Sequence, residues 1–196
     1  MGTGGGEFLL QLGHHNELTS ITEGYLPNYE LCKEKLEPLG ITVKFIADDH
    51  TIPYENESFD IVINRHEAYD ISEVNRILKQ KGIFITQQVG NENNRMLSES
   101  LLGKRKDKFP NCYLNIALKE CKKEALTILE SDEKYSETKF FDIGAVVFYA
   151  KTIEWEFENF SVTRCMDRLM FLQKQLEENG HINSIEHRYY FVAQKQ

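Results

Sequence analysis

Paired cysteines are missing from this sequence. Its four cysteines, Cys32, Cys112, Cys121 and Cys165, form no C-x-x-C pair, and no histidine cluster adds a zinc-ligand spacing. That argues against a zinc ribbon or a disulfide scaffold, and makes reduced thiols in a cytoplasmic protein the simplest reading. The His14-His15 doublet is not completed into a metal site, so no metal is expected. Positive charge is also scarce. Lys and Arg number 23 against 31 Asp and Glu, a net charge of −8. Coating nucleic acid needs a basic face, and only one short cluster exists, Lys104-Arg105-Lys106 with Lys108, which reads as a solvated loop. Long apolar runs are absent too. The longest, Ile143 to Ala150, has Gly144 inside it and is far too short to cross a bilayer. No basic segment followed by an apolar stretch opens the chain, so no signal peptide is visible. Internal repeats and low-complexity tracts are lacking as well.

What is present suffices for one domain. The chain has 196 residues, 41% of them hydrophobic and 28% charged. Glu7 to Leu12 reads as a helix with Phe8, Leu9 and Leu12 on one face and Gly13 as its stop. Leu18 to Thr22 is a short strand. Pro27 starts a second helix that ends at Pro38-Leu39-Gly40. Ile41 to Ala47 and Phe59 to Asn64 are strands, with a turn-rich stretch between them. Ile71 to Lys79 is a helix closed by Gly82, and Ile83 to Val89 is a strand. This alternation predicts an α/β fold, a parallel sheet with helices on both faces.

The second half is less regular. Gly90 to Asn111 reads as a polar loop with a short helix, Tyr113 to Glu124 as a helix, and Leu126 to Leu129 as a short strand. Asp142 to Ile153 has helical spacing but β-branched content, and helix is preferred. Ser161 to Asn179 is a long amphipathic helix stopped by Gly180, and Glu186 to Gln194 a last strand. The aromatics Phe148, Tyr149, Trp155, Phe157 and Phe160 read as core more readily than as a lid over a substrate pocket.

Four polar sites each follow a strand position, where open α/β sheets bind their ligands. Gly2, Gly4, Gly5 and Gly6 permit a tight turn and close approach of a ligand, and the helix after them offers N–H groups to an anion. A flexible opening has the same composition. Glu23, nineteen residues beyond Gly4, suits the two hydroxyls of a ribose; a helix N-terminal carboxylate is the comparable bland reading. Asp48 and Asp49 suit an adenine amine and ring nitrogen, or simply a turn. Asn64, with Arg65, His66 and Glu67 after it, closes the fourth strand end.

Taken together, MGTGGGEFL, ITEGY, IADDHTIPYENESFDIVINRHE and EVNRILKQKGIFITQQVG resemble the class I S-adenosylmethionine-dependent methyltransferase family, in its methyltransferase-11-like form. The likeness covers about residues 1–90 and follows the rest in outline. It implies a Rossmann-like fold with a mostly parallel sheet and an antiparallel C-terminal strand. It also implies a cofactor-binding half over 1–90 and a substrate-side half over 91–196. S-adenosylmethionine would be the cofactor. By the resemblance, Gly2, Gly4 and Gly6 line its methionine moiety, Glu23 holds the ribose, and Asp48 and Asp49 meet the adenine, whose face Ile52 flanks. Asn64 lies under the methionine and sulfonium. Met1 stands beside a position where the family often has an acid, and Lys81 where it commonly has a glycine.

Methyl transfer from an activated sulfonium needs alignment and exclusion of water more than acid–base help. Where the acceptor must lose a proton, His66 is the first candidate base and Tyr69 the second. The expected acceptor is an unidentified small molecule. Two other readings stand beside this one. A non-enzymatic cofactor-binding module is one. A nicotinamide-dependent oxidoreductase is the other, disfavoured because Glu7 occupies the place of the last fingerprint glycine. One element is conspicuously lacking: only Met1 precedes the glycine turn, where this fold needs a central strand. The expectation is therefore a shortened form of a longer sequence, with its first strand missing. It would bind cofactor poorly or borrow pairing through an exposed strand edge.

Overall fold

A computed structural model describes residues 1–104 and 110–196. Arg105, Lys106 and Lys108 of the basic cluster lie outside the described residues. The chain divides into two compact units, and each is described by itself. The first comprises Met1–Gln88, Leu114–Asp132 and Tyr190–Gln196; the second comprises Val89–Tyr113 and Glu133–Tyr189.

In the first unit the glycine turn leads into helix α1 (Glu7–Gln11). Strand β1 (Ser20–Glu23) follows, then helix α2 (Leu26–Leu36) and strand β2 (Thr42–Phe45). β1 and β2 pair in parallel, Ser20 opposite Thr42 through Glu23 opposite Phe45. Pro27 stands in the first turn of α2, where its missing N–H costs nothing. The helix buries Cys32 and Leu36 against Ile21, Ile41 and Val43. Next come strand β3 (Phe59–Arg65), helix α3 (Ile71–Ile77) and strand β4 (Leu78–Val89). Asp70 caps α3 by accepting from Ser72 N at 2.8 Å. β3 and β4 are also parallel. Phe84, Phe191 and Tyr69 meet edge to face in the core behind them.

The remaining elements are helices α4 (Arg95–Leu102), α5 (Leu114–Lys123), α6 (Ile143–Thr152) and α7 (Met166–Asn179), with strands β5 (Leu126–Phe140) and β6 (Ile182–Lys195). The second unit has its own core, in which Leu97, Leu101, Val146, Phe157, Leu169 and Leu172 pack together. The Asp142–Ile153 segment is helical as expected, with Asp142 capping Ala145 N at 2.7 Å. Of the five aromatics, Phe157 is core, and Tyr149 and Phe160 pack against it, whereas Phe148 is 73% exposed.

The strands form not one sheet but two. β1 and β2 make a two-stranded sheet; β3, β4, β6 and β5 make a four-stranded one in that order. β1 and β3 are therefore both edges.

Three local expectations are corrected. α3 stops at Ile77, and β4 already begins at Leu78, so Gly82 lies inside a strand instead of ending a helix. Lys81 before it has φ +64°, and a Cβ on Gly82 would come within 2.8 Å of Lys79 O, so the pair makes a tight kink. The partner strand shifts register there, between Phe59 and Ile61. β5 runs from Leu126 to Phe140 and not merely to Leu129, for it is a charged, largely exposed edge strand without apolar alternation. The long C-terminal helix starts at Met166, five residues after Ser161.

Candidate functional site

The first strand-end contribution is the glycine turn. Gly2, Gly4 and Gly6 take φ of +64°, +61° and +82°, a region other residues enter at a cost. Nothing lies within 4 Å of a Cβ built on Gly4, so its backbone is open to close approach. Gly2 is covered: a Cβ there would sit 2.3 Å from Glu67 Cβ. α1 is only five residues long, and its own Glu7 carboxylate fills its first turn and pairs with Lys35 at 3.1 Å. The turn, not the helix end, is the ligand-facing feature.

Glu23, at the end of β1, is 2% exposed. Its Oε2 accepts from Gly4 N at 2.9 Å and its Oε1 from Tyr25 N at 3.2 Å. Cys32 Sγ donates to Gly4 O at 3.0 Å. The glycine turn is thus fastened to the sheet by a carboxylate and a thiol. Each Glu23 oxygen keeps a lone pair for a further donor.

Asn64, at the end of β3, is 1% exposed. Its Oδ1 accepts from Gln88 Nε2 at 2.7 Å and Thr86 Oγ1 at 3.2 Å, and its Nδ2 donates to Ala68 O at 3.2 Å. Gln88 Nε2 also reaches Glu67 O at 3.0 Å. This network holds the 64–68 loop over the turn. Burial pushes the Glu67 carboxyl above its ordinary value, with Asp49 and Glu23 adding repulsion and the Ala68 N–H opposing it. Burial likewise raises Asp49, with His50 opposing and Asp48 and Asp70 adding to it. Glu23 and Glu67 therefore flank the turn with carboxylates, and Asp49 lies within electrostatic reach of Glu67.

Not every predicted residue joins it. Asp48 is exposed, and its Oδ1 accepts from His50 N at 2.9 Å, an Asx turn. Ile52 is 2% exposed and lines a different cavity, between β1 and β3. Its backbone is clamped by Glu73 at 2.8 Å and Arg76 at 2.9 Å. His66 has φ +57° and borders a cavity of about 160 Å³ together with Gly2, Thr3 and Gly4. Tyr69 packs on Phe84, with ring centroids 5.2 Å apart. Glu67 belongs to the fourth strand end that the sequence marks, and its approach to Gly2 gives it a place in the site. Thr86 and Gln88 are not marked by the sequence reading; they alternate along β4, and that period is their only signal.

Residues 1–86 match a family model described as a methyltransferase domain. No curated protein matches the sequence. Among solved structures, a protein of Bacillus halodurans C-125 assigned as a methyltransferase is 14% identical, with a TM-score of 0.63 over 99% of this chain and 90% of its own. The [4+2]-cyclase SpnF is 14% identical, with a TM-score of 0.59 over 99% of this chain and 72% of its own. Phosphoethanolamine N-methyltransferase 2 of Haemonchus contortus, solved with S-adenosyl-L-methionine, is 16% identical, with a TM-score of 0.53 over 99% and 47%. Residues 1–86 are thus similar to a methyltransferase domain, and the chain shares its α/β fold with solved methyltransferases.

Proposed function

We propose that this protein binds S-adenosylmethionine at the glycine turn and transfers its methyl group to a small-molecule acceptor. One observation carries the reading: the Gly4 backbone is open while Glu23, from the next strand, fixes its N–H at 2.9 Å. The residues fit such a cofactor. The Glu23 and Glu67 carboxylates flank the turn with negative charge, which favours a sulfonium and an α-ammonium. A pyrophosphate would instead meet the Glu7 carboxylate, whose oxygens lie 2.5 and 2.6 Å from a Cβ built on Gly5, and this disfavours a nicotinamide dinucleotide.

When bound, S-adenosylmethionine supplies an activated methyl group, and the protein's part is to align and desolvate. Gly2, Gly4 and Gly6 give the methionine moiety a backbone cradle. Glu23 offers its remaining lone pairs to ribose hydroxyls, and Asp48 is exposed and available to the adenine amine. Asn64, locked by Thr86 and Gln88, sets the floor of the site. His66, beside the same cavity as Gly2 and Gly4, is placed to take a proton from an acceptor that must lose one. The neighbouring cyclase fold keeps a second reading in view, a cofactor-binding protein that does not methylate.

Calorimetry with S-adenosylmethionine and its demethylated product tests binding. Glu23→Ala should weaken both by about 1.5–3 kcal/mol, roughly tenfold to a hundredfold. Equal affinities would reject the ribose role. Asp48→Ala should cost more with S-adenosylmethionine than with an analogue lacking the exocyclic amine. A metabolite extract incubated with methyl-labelled cofactor then decides between turnover and binding alone.

A further inference from the structure

The loop that follows β2 is fastened to the first turn of α3 at two points. At the first, Ile52 N donates to Glu73 Oε2 at 2.8 Å, and Ile52 O accepts from Arg76 Nη2 at 2.9 Å. That point is closed, because Glu73 and Arg76 also pair with each other at 2.7 Å and Ile52 is buried. The second point lies two residues earlier in the loop. His50 Nδ1 stands 2.5 Å from Asp70 Oδ2, with the imidazole 81% exposed. The other oxygen of Asp70 is committed to the helix: Oδ1 accepts from Ser72 N at 2.8 Å and from Ser72 Oγ at 2.6 Å. One carboxylate thus caps α3 with one oxygen and holds the loop with the other.

An exposed ion pair adds little to a fold, and the cap of α3 does not need His50. The consequence of the pair lies in the loop. The backbone N of His50 donates to Asp48 Oδ1 at 2.9 Å, so the residue whose ring reaches Asp70 also fixes the Asp48 carboxylate with its amide. Asp48 Oδ2 is left without a protein partner among the described residues. The charged groups acting on the imidazole are the carboxylates of Asp48, Asp49 and Asp70, while Glu73 and Arg76 neutralise each other beside them. A neutral ring would leave three like charges around one turn; an imidazolium offsets them.

We propose that His50 is a positioning residue for adenine recognition: its ring latches the Asp48-Asp49 loop to Asp70 and so presents the free Asp48 oxygen to the exocyclic amine. The inference rests on the cofactor reading given above. The latch is sensitive to pH in one direction. The Ser72 hydroxyl, with His50 adding to it, brings the Asp70 carboxyl down to about 2, so Asp70 stays ionised and His50 is the group that changes. The hydrogen bond and charge of Asp70 hold the imidazolium above its ordinary value, with Asp48 and Asp49 adding to the rise. The charged latch is therefore complete below the ordinary histidine range and is lost as pH rises through the raised value. Asp49 follows it, for His50 opposes the burial that raises that carboxyl. Adenine recognition is thereby coupled to pH near neutrality.

Calorimetry with the demethylated product of S-adenosylmethionine, and with its analogue lacking the exocyclic amine, reads the latch. At about pH 6 the imidazole is charged. There His50→Ala should bind the product roughly two- to fivefold more weakly than the unaltered chain, the range an exposed ion pair spans. At about pH 8.5 that ratio should shrink toward one. The analogue should show a ratio near one at both, which a merely loosened fold would not give. In an Asp48→Ala background, His50→Ala should cost nothing further, since the ring acts through that carboxylate. Asp70→Asn keeps a good helix cap, and in the unliganded chain it should lower the pH at which the His50 ring resonances titrate. Equal losses for product and analogue, full additivity of His50→Ala with Asp48→Ala, or a His50 titration that Asp70→Asn leaves in place overturns the latch. So does binding of the product that His50→Ala leaves unchanged at both pH values. If the unaltered chain binds neither ligand at either pH, the cofactor reading itself falls, and this role with it.

Discussion

The buried polar groups of the two units are not equally well paired. In the second unit each buried side-chain polar atom among the described residues has a partner. Asn94, fully buried, donates to Tyr149 Oη at 3.0 Å and Glu156 Oε2 at 2.6 Å and accepts from Ser184 Oγ at 2.8 Å. Asn93 donates to Glu156 Oε1 at 2.5 Å and accepts from His187 N at 3.1 Å and from Arg188. His187 is buried with Nδ1 accepting from Glu92 N at 3.2 Å, which leaves Nε2 to donate to Glu133 at 2.9 Å. In the first unit lie both buried side-chain atoms without a partner among the described residues, Thr22 Oγ1 and Asn75 Oδ1. A satisfied polar network fixes one arrangement, whereas an orphaned buried group carries a desolvation cost that nothing offsets. The difference separates a saturated network from one with polar groups left bare.

The sharpest way to break the saturated side is Asn94→Ala. It removes two donors from Tyr149 and Glu156 and the acceptor of Ser184, in a region where no water takes their place cheaply. The loss should be about 3–4 kcal/mol, because one of the bonds is to a carboxylate and two buried groups are left bare. Urea unfolding measures it, and a loss under about 1 kcal/mol would mean the network relaxes and is not saturated in the sense argued. Gly90→Ala attacks the same network from another direction. A Cβ there would lie 2.1 Å from the His187 ring, so the ring must leave its place between Glu92 and Glu133. Overpacking of this kind costs about 1–3 kcal/mol.

The first unit should respond to pH through its amino group. The Met1 amine falls from 8.0 to about 6 on folding, chiefly by desolvation. Below both values the folded chain must hold a buried charge; above both it holds none. Between them the unfolded chain binds the extra proton, so stability rises as pH goes from about 6 to about 8. Met1 is half-buried and borders the cavity between β1 and β3, so solvent limits the gain to about 1–2 kcal/mol. Glu67, raised by burial, contributes in the opposite sense at lower pH, so the measurement is the difference between the free and the N-acetylated chain. Acetylation should remove the rise; a rise that survives it comes from another group.

How far the sequence disclosed this contrast depends on which period each element carries. The glycine turn, Glu23 and Asn64 were legible because fixed types stand at strand ends, and the structure brings Gly4 and Glu23 into one bond. α6 was legible by its apolar spacing despite Val146 and Val147. β5 was not, because an edge strand with Glu130, Asp132, Glu133 and Lys134 in succession has no buried face to announce itself. Gly82 misled because glycine ends helices more often than it kinks strands. The open edges of β1 and β3 and the Thr22 orphan were not legible, since backbone direction and a missing partner leave no residue pattern.

The smallest test sets the same chemical change in both units. Thr22→Val and Ser184→Ala each delete one buried hydroxyl. Ser184 Oγ donates to Asn94 Oδ1 at 2.8 Å, so its loss strips a bond and leaves an acceptor bare, a cost of about 1–2 kcal/mol. Thr22 Oγ1 has no partner, so replacing it by a methyl of nearly the same shape removes a desolvation penalty and should stabilise by about 1 kcal/mol. Opposite signs from one deletion are the signature of a saturated unit beside an unsaturated one. If Thr22→Val also destabilises, the hydroxyl has found water in the cavity between β1 and β3, and the unit is better satisfied than its side chains indicate.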